Sequence, residues 1–370
     1  MIMKLLITGS KGFIGKNLSL RLREYHNIEL LTFERGQDIS YLTQALDSAD
    51  AVIHLAGENR PDSPEAFEEV NVGLTHELCQ ALRNLVKKLP VIFTSSTQAD
   101  QDNAYGRSKL AAEHLLIKLA KENGNPVVLY RLPGVFGKWS RPHYNSVVAT
   151  FCYQKARDLP VVIDNPNTKV TLVYIDDVIT SIIQALQFSL SGVSWPELSP
   201  QYSITIEELS RQIDAFKDCR NNLIVEPVGK GLVRALYATY MSYLPPEKFS
   251  YTLAKYSDTR GTFVEMLKTV NSGQFSFFTS LPGVTRGGHF HHTKTEKFLV
   301  LIGQARFRFR NMDTGERYEL ITSAVKPEVV EIAPGWTHDI TNIGSEEMIV
   351  LLWSNEIFDR YNPDTISSPL

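Results

Sequence analysis

Four of the nine histidines in this 370-residue chain fall between residues 289 and 338. In His289-Phe290-His291 the two imidazoles share one face if the segment is a strand, because strand side chains alternate with period two. Glu296 and His338 would complete a set of four nitrogen and oxygen donors. That set suits zinc, and iron, manganese or nickel are compatible with it. His292 would point to the opposite face and reads as a non-ligand. Far upstream, Tyr105-Gly106-Arg107-Ser108-Lys109 sets a phenol and an ammonium one helical turn apart. The lysine charge is expected to lower the tyrosine pKa, making Tyr105 a proton donor. The preceding Phe93-Thr94-Ser95-Ser96 ends a strand with hydroxyls, so Ser95, Ser96 or Thr97 could hold a substrate oxygen. Gly9-Ser10-Lys11-Gly12-Phe13-Ile14-Gly15 offers backbone N–H groups at a helix start, the arrangement that receives a pyrophosphate.

These residues need elements to position them. Residues 4–185 alternate β-rich runs (4–8, 28–33, 51–55, 91–95, 127–131) with helical patterns (17–25, 68–85, 108–122). This predicts a Rossmann-type α/β fold, a doubly wound parallel sheet with helices on both faces. After about residue 246 the texture becomes short strands and turns. Residues 305–310 alternate strictly, and further strands fit 274–281, 297–302, 328–332 and 348–353. This half is expected to be all-β, a sandwich or barrel. The Leu244-Pro245-Pro246 segment divides the two, giving domains 1–245 and 246–370.

Composition is that of a folded globular chain, 43% apolar and 21% charged. A net charge of -3 without like-charge blocks argues against a nucleic acid or anionic membrane partner and favours a small molecule. Cys79, Cys152 and Cys219 are few, odd in number and far apart, which fits buried residues in a reducing compartment. No apolar run approaches the roughly 18 residues of a membrane span, and no signal-peptide pattern opens the chain. A cytoplasmic protein is expected.

Over roughly residues 1–240 the glycine loop, the strand-end hydroxyl and the Tyr-Lys pair together resemble the extended short-chain dehydrogenase/reductase family. The resemblance favours Ser96, third after Phe93, as the hydroxyl, and implies Ser96, Tyr105 and Lys109 as catalytic residues. His54-Leu55-Ala56-Gly57 is similar to the family's motif beside the cofactor, and Asn71 to its helix asparagine. Arg131-Leu132-Pro133-Gly134-Val135-Phe136-Gly137 is similar to its R-x-x-N-V-Y-G segment, with Gly134 in place of asparagine. Implied cofactor contacts are therefore Gly9, Lys11, Gly12, Phe13, Ile14, Gly15, Arg35, Leu55, Ala56, Asn71, Tyr105, Lys109 and Arg131. At the second strand's end Glu34 would suit the ribose diol of NAD, whereas Arg35 and Lys11 would pair with the 2′-phosphate of NADP. The balance favours NADPH.

In the second half, Gly283, His289-x-His291, Glu296 and Gly303, then Pro334-Gly335-x-x-His338-x-x-x-Asn342, resemble both motifs of the cupin barrels. A metal-free cupin would use the same histidines as bases or sugar contacts. Asp258-Thr259-Arg260-Gly261-Thr262-Phe263-Val264-Glu265 and Thr285-Arg286-Gly287-Gly288-His289 are similar to segments of dTDP-4-dehydrorhamnose 3,5-epimerases. There the histidine is the base, so His289 has two candidate roles, ligand and base.

A reductase joined to a cupin resembles the bifunctional capsular-polysaccharide and O-antigen enzymes that form UDP-2-acetamido-2,6-dideoxy-L-talose on the way to UDP-N-acetyl-L-fucosamine. That resemblance implies carbon-3 epimerisation of a UDP-4-keto-6-deoxy-HexNAc in the cupin, then NADPH reduction of the carbon-4 ketone, by a homodimer. Two alternatives remain: a single-activity reductase or epimerase with a non-catalytic cupin for binding or oligomerisation, and a non-enzymatic NADP sensor.

Overall fold

The structure, a computed structural model, describes residues 2–61, 63, 65–187, 190–292, 294–361 and 363–370. The chain divides into two compact units, Met1–Ile213 with Arg234–Leu244, and Asp214–Val233 with Pro245–Leu370. The second unit thus includes residues 214–233 from before the Leu244-Pro245-Pro246 segment. Backbone hydrogen bonds from Val225 N to Lys268 O and from Lys268 N to Leu223 O, both 2.7 Å, tie that stretch to a β-strand. Such pairing between distant stretches leaves no mark on local composition.

The first unit is built on a six-stranded parallel sheet. Its strands are β1 (Met3–Thr8), β2 (Ile28–Phe33), β3 (Ala51–His54), β4 (Val91–Ser96), β5 (Val127–Leu132) and β8 (Val193–Ser194), in the order β2-β1-β3-β4-β5-β8. Leu5, Leu6, Ile7, Val52, Ile53, Val91 and Ile92 are fully buried. Continuous apolar strands of this kind form where helices cover both sheet faces. β6 (Gly134–Phe136), β7 (Lys169–Tyr174) and β9 (Tyr202–Thr205) make a smaller sheet. The five strands read from sequence are present, and the doubly wound class holds. The short β8 was missed because two residues carry no periodicity.

Two helices place the chemistry of this unit. Phe13–Leu22 begins at Gly12 with no side-chain cap, so its first N–H groups remain available. It starts earlier than the expected residue 17. Ala104–Asn123 is capped by Asn103, whose side chain accepts from Gly106 N at 2.8 Å, and ends at Gly124 in the left-handed conformation. It carries Tyr105 and Lys109.

The second unit is antiparallel throughout its named strands and is cupin-like. One sheet has the order β10-β11-β12-β19-β14-β17 and the other β16-β15-β18-β13-β20. The first comprises β10 (Tyr256–Asp258), β11 (Gly261–Thr269), β12 (Gly273–Ser280), β14 (Glu296–Ile302), β17 (Val329–Ile332) and β19 (Met348–Ser354). The second comprises β13 (Thr285–Phe290), β15 (Gln304–Asn311), β16 (Arg317–Ser323), β18 (Trp336–Asn342) and β20 (Ile366–Ser367). Residues of both sheets share one core, with Phe278, Phe298, Val300 and Val350 from the first and Ala305, Phe307, Phe309 and Ile340 from the second.

Phe307 is completely buried, its ring 5.7 Å from that of Phe298 and 6.2 Å from that of Phe309. Phe307→Ala should therefore cost about 3–5 kcal/mol, seen as a lowered midpoint in urea unfolding. Val325→Ser, at a 95% exposed position, should change the midpoint within error.

Candidate active site and metal centre

At the C-terminal ends of the parallel strands, the Gly9–Gly15 loop turns from β1 into the helix Phe13–Leu22. Gly9 has φ +72°, and a Cβ there would lie 2.8 Å from the backbone of Ala56. A Cβ on Gly15 would come within 2.3 Å of Gly9 O. Only glycine fits at these two positions, and the loop is left open for an anionic ligand at the helix start. Thr8 Oγ1 accepts from Ala56 N at 3.2 Å and also bonds His54 Nδ1 at 2.7 Å. His54 Nε2 meets Thr75 Oγ1 at 3.0 Å. Burial, aided by the Lys109 charge, lowers the His54 pKa to about 3, so it serves as a neutral strut.

β4 and the helix Ala104–Asn123 bring the proposed catalytic groups together. Ser96 lies near enough to oppose the rise of the Tyr105 pKa, and its Oγ accepts from Gln98 N at 3.1 Å. Ser95 Oγ is buried without a partner, and Thr97 is exposed. Of the three candidate hydroxyls, Ser96 is the one that acts on the Tyr105 pKa. Lys109 Nζ donates to Thr94 O at 3.1 Å and lies 5.0 Å from the centroid of the Phe93 ring.

The expected electrostatics need correction. Burial raises the Tyr105 pKa, with Ser96 opposing it, rather than the lysine lowering it. Lys109 yields more: burial brings its pKa down to about 8, against the pull of Glu113. Taking the ammonium out of water costs more than its neighbours return.

Asn71 is buried and linked through Nδ2 to Ser108 Oγ at 2.9 Å, which ties it to the Tyr105 helix. Arg131 departs from the expected cofactor contact. Its Nε and Nη2 bind the Glu113 carboxylate at 3.0 and 2.7 Å, and Nη1 binds Asp100 at 2.6 Å. Its guanidinium is committed to bracing the helix. Lys11 is exposed at the loop, and Arg35, also exposed, pairs with Glu58 at 2.9 Å. Glu34 accepts from Ser10 Oγ. Glu58 and Tyr144 were missed because sequence spacing does not relate them. Glu113 could have been found, since 105, 109 and 113 follow one helix face.

In the second unit, His289, His291, Glu296 and His338 place one ligand atom each within 4.8 Å of all the others. Among the described residues His292 is not part of this group. β13 ends at Phe290, so His291 lies just beyond the strand rather than within it. What aims His289 is a register shift after Gly287, where Gly287 and Gly288 take φ +95° and +76° and His289 comes opposite His338.

Glu296 Oε2 meets His291 Nε2 at 3.2 Å and His338 Nε2 at 3.4 Å. His291 Nδ1 donates to Asp364 O, so Nε2 is the nitrogen that faces the cluster, as in metal-ligating histidines, and its bonding to Glu296 outweighs burial and raises the His291 pKa. His338 Nδ1 is buried without a partner. Burial holds the His289 pKa down at about 4, and its two histidine neighbours add to this. Burial would raise Glu296, but hydrogen bonds from His291 and His338 outweigh it and bring it to about 2. Three imidazole nitrogens and one carboxylate oxygen this close together fit a divalent cation, zinc by donor type.

Comparisons place this geometry among known proteins. Residues 5–195 match the NAD dependent epimerase/dehydratase family, and residues 256–366 match the polysaccharide biosynthesis C-terminal domain. A UDP-2-acetamido-2,6-beta-L-arabino-hexul-4-ose reductase of Pseudomonas aeruginosa is 53% identical over 98% of both chains. The crystal structure of the capsular polysaccharide assembling protein CapF from Staphylococcus aureus is 40% identical, superposes with a TM-score of 0.91 and covers 100% of both chains. A UDP-glucuronic acid 4-epimerase from Bacillus cereus, solved with NAD, covers 65% of this chain and 98% of its own at 20% identity and a TM-score of 0.55, a likeness of fold. No helix among the described residues is long and apolar enough to cross a membrane.

The buried lysine gives a pH dependence. Between about pH 8 and its ordinary 10.5, unfolded Lys109 binds a proton that folded Lys109 has released, so stability rises with pH across this window. Lys109→Met removes that dependence. The variant should be more stable than wild type at pH 7, and the gap in denaturant midpoint should narrow as pH approaches 10.5.

Proposed function

Because the chain belongs to the NAD dependent epimerase/dehydratase family, we propose that it is a two-site nucleotide-sugar enzyme whose second unit inverts a carbon beside a ketone that the first unit then reduces. The substrate in this reading is a UDP-4-keto-6-deoxy-HexNAc, epimerised at carbon 3 and reduced at carbon 4. The product is UDP-2-acetamido-2,6-dideoxy-L-talose, for UDP-N-acetyl-L-fucosamine and capsule or O-antigen synthesis in the cytoplasm. The assembly proposed is a homodimer. The observation that carries the reading is one chain holding both a Ser96–Tyr105–Lys109 constellation and a His289–His291–Glu296–His338 cluster.

NADPH bound at the first site supplies the hydride, and a divalent cation bound at the second supplies charge stabilisation. The chain's own residues do the rest. Ser96 holds the ketone oxygen by a hydrogen bond, and the Tyr105 phenol delivers the proton that makes it a hydroxyl. Lys109 places positive charge beside the phenolate left behind, and its pKa near 8 lets it return a proton close to neutrality. Arg35 and Lys11 favour the 2′-phosphate of NADPH.

In the second unit, removal of the carbon-3 proton gives an enolate, and reprotonation on the opposite face inverts the centre. The neutral His289 has a lone pair for this proton, and its place in the cluster equally suits a ligand. The order follows from acidity, since carbon 3 loses its activating ketone once carbon 4 is reduced.

Tyr105→Phe should abolish NADPH oxidation while leaving solvent deuterium exchange at carbon 3 intact. Loss of both in a folded variant contradicts separate sites. His338→Ala should lower the metal content of the purified protein, and full occupancy would refute the ligand set. His289→Asn separates that residue's roles. Loss of exchange together with metal marks a ligand, and loss of exchange with metal retained marks the base.

A further inference from the structure

Glu58 belongs to none of the motifs, yet it joins groups that are far apart in sequence. Its side chain is 16% exposed. Oε2 receives Arg35 Nη2 at 2.9 Å, and Oε1 receives the Tyr144 hydroxyl at 2.6 Å. Its backbone is pinned by Asn71, whose Oδ1 accepts from Glu58 N at 2.7 Å and whose Nδ2 donates to Glu58 O at 2.9 Å. The carboxylate therefore stands on a fixed base. Arg35, at 78% side-chain exposure, is free to swing away from it.

On the other side, Arg60 donates to the Tyr144 carbonyl, so residues 58–60 grip Tyr144 twice. The stretch before it holds Trp139 and His143 at φ +69° and +56°, a conformation costly for residues other than glycine and kept only where surroundings impose it. It leads into the helix Val147–Ala156, and Arg60, His143, Asn145 and Ser146 line a cavity of about 460 Å³ there.

We propose that Glu58 is a positioning residue that couples the cofactor's 2′-phosphate, through Arg35, to the ordering of Tyr144 and the segment 139–146. The proposal rests on the reductase reading above, with its NADPH preference. A 2′-phosphate has more charge and more acceptor oxygens than the carboxylate and draws Arg35 to itself. Glu58, no longer neutralised by Arg35, then holds the Tyr144 phenol through a stronger charge-assisted hydrogen bond. Its bonds from Asn59 N and Arg60 N remain, at 3.2 and 3.5 Å. The segment is thereby firmer for a nucleotide diphosphate when NADPH is bound than when NADH is bound, because NADH cannot compete for Arg35.

Calorimetric titration of the full chain with UDP, with no dinucleotide, with saturating NADPH and with saturating NADH, tests this directly. Wild type should bind UDP roughly two- to fivefold more tightly with NADPH than with NADH, the range expected for one partly exposed ion pair. Glu58→Gln, which keeps the shape and loses the charge, should bring the two values together. Tyr144→Phe should do so too, while preserving the wild-type ratio of NADPH to NADH affinity. Equal UDP affinities in wild type, or a difference that persists in Glu58→Gln, would overturn the coupling. Equal binding of NADPH and NADH would instead remove the 2′-phosphate assignment, and failure of both to bind would remove the reductase reading; either takes the coupling with it.

Discussion

Lys109 carries an ammonium group into an interior that leaves it 7% exposed, and much of the first unit is arranged around making that tolerable. Strand β4 ends so that Thr94 offers its carbonyl and Phe93 its ring face. Glu113, one turn further along the same helix, supplies a buried countercharge, itself balanced by Arg131 and, through it, Asp100. The chain of charges runs from the surface inward, so no single ion is left unpaired in a medium of low dielectric constant. The same burial that lowers the lysine raises the tyrosine. The two groups, which ordinarily titrate close together, therefore cross and move apart, and the raised phenol stays protonated near neutrality, the form that can donate a proton.

The second unit meets the same constraint differently. Three imidazoles and a carboxylate are withdrawn into a barrel whose remaining lining is largely phenylalanine and aliphatic. Burial keeps His289 neutral, bonding to Glu296 raises the His291 pKa against its burial, and the carboxylate is held ionised by the two rings it faces. A cation is the natural complement of such a group. The cluster draws on both sheets, Glu296 from one and His289 and His338 from the other, and so depends on the packing of the whole core.

Much of this was legible in the sequence. Period-two and apolar runs gave five parallel strands, and a resemblance spread over two short motifs pointed to the four cluster residues that the fold brings together. What was not legible depended on contacts across long separations. Arg131 reads locally as part of a cofactor motif, but its partners Glu113 and Asp100 lie 18 and 31 residues away and turn it into a brace. Glu58 and Tyr144 are 86 residues apart and share no pattern. The fall of Lys109 and the rise of Tyr105 depend on burial, which no pair spacing reports. The shift that points His289 at His338 needs two consecutive glycines in the left-handed region, visible in sequence as Gly287-Gly288 but without a direction until the strands pair.

The central claim is that two chemical steps occur on one chain in a fixed order, enolisation before reduction. Incubation of the full chain with a UDP-4-keto-6-deoxy-HexNAc and NADPH in deuterated water, followed by NMR of the product, addresses it most directly. The account predicts a reduced sugar with carbon 3 inverted and deuterium at carbon 3. A reduced product that retains protium and its original configuration at carbon 3 would contradict it.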